Sequence, residues 1–178
     1  ICRLAWMSLS LLMPIGYAFQ KLGLVSQMTL ERQAGAGQVQ RMEDVILREF
    51  RASDTDWLTE QHGTQYAAAE GFDDTFGPLV GSILAAFNAE HDPSCERGWI
   101  AEQNGERLGS VFCVRLNEDT AKLRLFLLTP QARGKGLGKR LLAQCMGFAQ
   151  QAGYDGMQLW THESHKAACA LYVKTGWQ

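Results

Sequence analysis

An apolar stretch, Leu123 to Thr129, passes through Pro130 into Gln131-Ala132-Arg133-Gly134-Lys135-Gly136-Leu137-Gly138-Lys139, and an amphipathic run follows at once. A strand handing over to a helix through such a loop leaves little freedom in what the chain can become. Three glycines at alternate positions leave the backbone bare, so its N–H groups can close around an anion. The helix that starts there contributes roughly half a positive charge at its N-terminus. Arg133, Lys135 and Lys139 add full charges beside it. The loop reads as a cradle for a pyrophosphate.

Spacing narrows the choice of cradle. A dinucleotide fingerprint needs a third glycine where Lys139 stands, and a phosphate-binding loop of the Walker type needs a glycine where Arg133 stands. Both patterns fail. What remains is Q-x-x-G-x-G running into Leu137-Gly138-Lys139-Arg140-Leu141-Leu142.

Downstream, Met157-Gln158-Leu159-Trp160-Thr161 reads as a strand, and Ala168-x-x-Leu171-Tyr172-x-x-x-Gly176-Trp177 closes the chain. Upstream, Trp99-Ile100-Ala101-Glu102, the turn Asn104-Gly105 and Leu108-Gly109-Ser110-Val111 read as a hairpin. From about Val45 to Gln178 these elements resemble the GNAT superfamily of N-acetyltransferases, with Trp177 in the usual Phe place. The runs Ala121 to Leu125 and Leu159 to Thr161 look most like acetyltransferase domains fused behind MarR-type regulators, although this chain has no recognisable DNA-binding domain. The resemblance implies an α/β fold whose mixed, mostly antiparallel sheet is splayed between its fourth and fifth strands and flanked by helices. It implies acetyl-CoA as cosubstrate, held by Phe126, Leu127 and Leu128 along the fourth strand. The loop and helix start would hold the pyrophosphate through Gln131, Arg133, Gly134, Lys135, Gly136, Leu137, Gly138 and Lys139.

Patterning agrees with the order βααβββαβα. Val45 to Arg51 reads as the first strand, and Ser53 or Asp54 is placed to cap a helix through Trp57, Leu58 and Tyr66. Gly71-Phe72-Asp73-Asp74 breaks it, and a second helix from Thr75 shows an apolar stripe at Phe76, Leu79, Val80, Ile83, Leu84 and Phe87. Leu108 to Leu116 and Thr120 to Thr129 form the next strands. Gly153 ends the helix after the cradle.

Acetyl transfer to an amine needs a neutral amine, a stabilised oxyanion and a proton for the departing thiolate. At pH 7 a lysine-like amine is neutral in about one molecule in a thousand, an α-amine near pKa 8 in roughly one in ten. The need for a strong base therefore depends on the acceptor. The resemblance makes Tyr172 the acid and a backbone N–H near Leu128 the oxyanion donor. For the base, Glu102 on the second strand acting through water and His62 after the first helix are the candidates, with His162 and Glu163 near the splay. His165 stands where many relatives carry an asparagine that contacts the coenzyme. Lys122 and Arg124 replace the glutamate that many relatives use, and offer either attraction for an acidic substrate or a solvated strand face.

The 178 residues carry 46% hydrophobic and 20% charged side chains, which suits one globular core. A net charge of −2 gives no reason to expect nucleic acid as a partner. Five scattered cysteines without a C-x-x-C pair suggest neither a disulfide framework nor a metal site, and a reducing cytoplasm fits them. Leu4 to Gln20 is uncharged, apolar and interrupted by Pro14 and Gly16; Gln33 to Gln40 has linker composition. Residues 1–41 are therefore expected to lie outside the fold, with a membrane anchor at 4–20 as the alternative, and 42–178 to form the acetyltransferase domain. The superfamily usually has more sheet after the Gly-Phe element. Stopping at Gln178 is thus expected to leave that domain incomplete, with Met157 to Thr161 as an exposed edge. The expected partner is a small-molecule amine, with a homodimer left open. A catalytically idle acetyl-CoA-binding regulatory module is the competing reading.

Overall fold

In the computed structural model, residues 23–29, 45–70, 76–162 and 166–177 are described. Strands β1 (Gly23–Thr29) and β2 (Ile46–Glu49) come first, then a 3-10 turn at Ala52–Asp54 and helices α1 (Thr55–Glu70) and α2 (Phe76–Glu90). Three strands follow, β3 (Arg97–Gln103), β4 (Glu106–Arg115) and β5 (Thr120–Leu128). A second 3-10 turn at Pro130–Ala132 leads to α3 (Leu137–Gln151), β6 (Gly156–His162) and α4 (Lys166–Lys174).

The six strands form one sheet in the order β1-β6-β5-β4-β3-β2. All neighbours are antiparallel except β5 and β6. The β3–β4 hairpin closes through Asn104 and Gly105, both at positive φ, as a tight turn between twisted strands requires. Strand alternation then divides the core. Val111 and Cys113 face one side with Leu137, Leu141, Leu142 and Cys145 of α3, while Phe112 and Val114 face the other with Leu58 of α1 and Val80, Leu84 and Phe87 of α2. Both faces of β4 are covered, which is why Leu108 to Val114 reads as a continuous buried run.

Helix α3 stops at Gly153, where Tyr154 N–H bonds to Ala149 O and Gly153 N–H to Gln150 O. Helix α4 stops the same way, with Trp177 N–H on Tyr172 O and Gly176 N–H on Val173 O. That closure folds the buried Trp177 ring back onto Tyr172, at 5.9 Å between centroids. The Gly-Trp ending of the sequence is thus a helix stop that seals one wall of the core.

Two expectations are corrected. Residues 1–41 do not all lie outside the fold, because β1 pairs with β6 over seven residues, from Gly23↔His162 to Thr29↔Gly156. For the same reason Met157 to Thr161 is not an exposed edge. An apolar strand beside the splay needs a second hydrogen-bonding neighbour, and β1 supplies it. Leu4 to Gln20 and Gly71 to Thr75 lie outside the described residues, and among those described no helix is long and apolar enough to cross a membrane.

Candidate active site

Strands β5 and β6 run side by side only from Thr120↔Gly156 to Leu123↔Leu159 and then part. The cause lies within β5. Between Ser110↔Leu127 and Phe112↔Arg124 the β4–β5 register shifts, and Leu125 takes φ +47°, a left-handed conformation costly for a residue with a Cβ. The buried Ser110 hydroxyl donates to Leu125 O at 2.7 Å and holds the bulge. Beyond it, Thr129 N–H reaches across to Leu108 O. By strand alternation the backbone groups of Leu128 and Phe126 therefore face the open side, toward the gap left by β6. Apart from Leu128 O, which Arg133 approaches at 3.4 Å, they are available to a ligand that lies along β5 as an added strand would.

The gap forms a cleft of about 90 Å³ whose lining includes Tyr66 of α1, Arg124 and Phe126 of β5, Trp160 of β6 and Tyr172 of α4. A larger depression of about 400 Å³ beside Leu47 and Arg140 shares no residue with it, and Arg140 there donates to Val45 O. The cleft, where backbone groups and a phenol converge, is the better candidate. Tyr172 is buried, and burial pushes its pKa well above the ordinary phenol value, with nearby Tyr66 adding to the shift. It stays protonated at physiological pH.

The cradle opens at the C-terminal end of β5. Gly134 and Gly136 sit at φ +74° and +80°, and a Cβ built on either would meet nothing within 4 Å. Gly136 is the N-cap of α3, and no side chain caps that helix. Its first N–H groups accordingly have no side-chain cap, and the exposed Lys135 and Lys139 stand beside that helix start. That geometry fits a pyrophosphate. The third glycine serves another purpose: a Cβ on Gly138 would come within 2.9 Å of Leu171 and 3.2 Å of Leu128, so its smallness lets α4 pack on α3. Leu137 is fully buried in the core, and Leu127 is buried as well. Of these three only backbone atoms are placed to reach a ligand. Gln131 donates to Glu106, while Arg133 is drawn to Gln65 of α1 at 2.5 Å and to Leu128 O at 3.4 Å.

The two proposed bases stand elsewhere. His62 is not after the first helix but inside α1, buried, its Nδ1–H donating to Leu58 O at 2.9 Å. Burial lowers its pKa to about 4, and Nε2 has no partner among the described residues. A neutral, enclosed imidazole is a poor base for a solvent-borne amine. Glu102 lies on β3, two strands from β5, and is paired with Arg48 at 2.7 Å. Arg48 in turn holds Asp54, which also takes Arg107 and the Arg51 N–H. Burial pushes the Asp54 carboxyl up, but those hydrogen bonds outweigh it and hold its pKa at about 2. This knot fixes the start of α1 to the β3–β4 hairpin, and Glu102 belongs to it. Glu163 and His165 lie outside the described residues, as does the side chain of His162.

Ser110 and the bulge at Leu125 escape a reading by sequence pattern. A lone serine within an apolar strand is the only signal, and alternation alone gives no hint of a register shift.

Comparison with known proteins agrees with this geometry. The model of the acetyltransferase (GNAT) family matches residues 41–177. Rat N-acetyltransferase 8 is 32% identical over 85 residues, 45% of this chain and 38% of its own length. An uncharacterized N-acetyltransferase of Bacillus subtilis, YhfO, is 32% identical over 84 residues, 44% of this chain and 56% of its own length. The matched part thus spans between about two fifths and a little over half of these relatives. Among solved structures, a predicted acetyltransferase from Clostridium acetobutylicum, crystallised with acetyl-CoA, superposes with a TM-score of 0.63 at 16% identity, covering 75% of this chain and 90% of that one. A GNAT acetyltransferase from Staphylococcus aureus gives 0.62 at 20% identity, over 74% and 82%. With the splayed sheet, the bulged fifth strand and the glycine cradle in place, the chain belongs to the GNAT family of acetyltransferases.

Proposed function

We propose that this protein transfers an acetyl group from acetyl-CoA to the amine of a small molecule by direct attack. The observation that carries the reading is the continuity of three features: an open cradle at Gly134 and Gly136, backbone groups of Phe126 and Leu128 turned away from β4, and a protonated tyrosine at the far end of the same gap. When bound, acetyl-CoA supplies a thioester, so that the amine nitrogen gains the acetyl group and loses a proton while the sulfur departs and gains one.

Each of the chain's groups has one task in that exchange. The N–H groups at the start of α3 and the side chains of Lys135 and Lys139 hold the pyrophosphate. The Leu128 N–H faces the gap and donates a hydrogen bond to the carbonyl oxygen as charge builds on it. Tyr172 holds a proton on its phenol oxygen and presents it to the departing sulfur. Its raised pKa keeps that proton in place, and also means that it leaves only as another replaces it.

One observation favours the idle acetyl-CoA-binding module instead: the described residues that line the cleft include no carboxylate and no imidazole. Two substitutions decide between these readings. Gly136→Val forces a β-branched residue to φ +80° and fills the open approach, so acetyl-CoA affinity should fall at least tenfold by calorimetry. Tyr172→Phe should leave that affinity nearly unchanged and lower turnover roughly tenfold or more. Acetyl-CoA binding without turnover on any amine would support the idle module, and undiminished turnover in Tyr172→Phe would remove the tyrosine from the chemistry.

A further inference from the structure

Arg133 stands where the cradle meets the groove along β5, and its side chain is already engaged there. Its Nε–H approaches Leu128 O at 3.4 Å, and Nη2 donates to Gln65 Oε1 of α1 at 2.5 Å. The Gln65 amide is turned to receive it. Its Nε2 donates to Gln61 Oε1, one turn earlier in α1, at 3.2 Å, which leaves Oε1 for the guanidinium. One exposed side chain thus ties the end of β5 to α1 across the mouth of the groove. Tyr66, the residue after Gln65, lines the cleft and stacks on His62 at 5.9 Å between centroids. Whatever holds Gln65 therefore also holds one wall of the cleft.

The tie is of a kind that exchanges readily. It is open to solvent, and both of its acceptors are neutral amide oxygens. A pyrophosphate in the adjoining loop would offer charged oxygens, to which a guanidinium bonds roughly twice as strongly. The Nε–Nη2 edge, which grips phosphate oxygens in pairs, is the edge now turned to Leu128 and Gln65. Leu128 O is also one of the groups that a ligand lying along β5 would pair with, so such a ligand competes for that contact too.

Resting on the reading that acetyl-CoA sets its pyrophosphate at Gly134 and Gly136, we propose that Gln65 is a positioning residue acting through Arg133. The pair forms a latch across the groove, and the pyrophosphate opens it by taking the guanidinium. Coenzyme bound at the cradle thereby loosens α1 and, with it, the Tyr66 wall of the cleft. The step is an exchange of hydrogen bonds, with no covalent change.

A double-mutant cycle on coenzyme A binding to the full chain, by calorimetry, tests this. Gln65→Ala releases Arg133 and should tighten coenzyme A about threefold or more, the order of effect that one net hydrogen bond supplies. Arg133→Ala should weaken binding, and in that background Gln65→Ala should change nothing. Gln65→Glu gives Arg133 a charged partner, and should weaken binding more in the parent than beside Arg133→Ala. A residue that only supported the fold would weaken binding whichever way it was changed. Amide exchange supplies a second readout. Around Gln65, exchange should be faster in ligand-free Gln65→Ala and in the parent saturated with coenzyme A than in the free parent, and the two effects should not add. Unchanged or weaker binding in Gln65→Ala, the same gain with and without Arg133, or α1 amides that coenzyme A slows in the parent would overturn the latch. Failure of the underlying reading looks different. Coenzyme A would then not bind at all, or would bind Gly136→Val as tightly as the parent, and the latch would fall with it.

Discussion

His62 illustrates how far one side chain's environment can move its role. On a surface it would titrate near pH 6.5; enclosed in α1, with Nδ1–H held by Leu58 O, it stays neutral down to about pH 4. In the unfolded chain it regains its ordinary pKa. Between pH 6.5 and 4 the unfolded state therefore binds the extra proton, and stability from this group is full above pH 6.5 and lost as pH falls toward 4. The slope approaches about 1.4 kcal/mol per pH unit, for a total near 3 kcal/mol. Melting temperatures measured across this range should fall less steeply for His62→Leu than for the parent. Parallel curves would mean that the imidazole is not enclosed. Ser110 has the opposite profile, with no charge and one short hydrogen bond to the strained Leu125. Ser110→Ala removes the donor and takes from the part-buried Leu125 carbonyl the hydroxyl that holds it. It should cost about 1–2 kcal/mol and weaken acetyl-CoA binding, read by thermal melting and calorimetry. Stability lost with affinity intact would show that the bulge forms without the serine.

At the scale of elements, most of the architecture is legible because periodicity and turn chemistry agree. The α2 stripe at Val80, Leu84 and Phe87 is buried as its spacing demands, and the Asn-Gly turn and the helix stop at Gly153 fall where the residues place them. The open glycine loop is legible for the same reason, since positive φ at two positions calls for glycine. What pattern cannot give is which glycine shapes the loop and which serves packing. Gly134, Gly136 and Gly138 look alike in sequence, and only the placement of Leu171 separates the third from the others. His62 is misread because Gly63 beside it suggests a helix end. In the fold that glycine lies against Gly77 and lets α1 and α2 approach closely, so the helix continues through it. Glu102 is misplaced because its pairing with Arg48 depends on a residue far away in sequence.

Over the whole molecule, the least legible feature is β1. Its residues follow an apolar run of unusual composition and precede a linker, so local pattern detaches them from the domain. Their place is set by β6, which needs a neighbour on the side away from β5. A chain beginning at Met42 should therefore lose thermal stability and self-associate with rising concentration, as the apolar β6 edge finds other strands. Saturating acetyl-CoA should partly reverse both effects, because binding to the native state at a hundred times Kd adds about 2.7 kcal/mol. Light scattering with thermal melting checks this. A monomeric shortened chain with the parent's melting temperature would show that β1 is dispensable.

The pairing of Gly23 with His162 also fixes an order of events in the making of the protein. A ribosome releases the first strand well before its partner β6, and at about 5–20 residues per second the interval is on the order of ten seconds. Through that time β1 has no native neighbour, while β2 to β5 can join through nearby hairpins. The sheet must be finished from its most distant seam, the slowest kind of contact to form. Until it does, the waiting strand on one nascent chain is chemically indistinguishable from that on the next. Where copies of this protein meet during synthesis, β1 of one chain can therefore pair with β6 of another, so the distant seam that completes the sheet is also the one open to strand exchange.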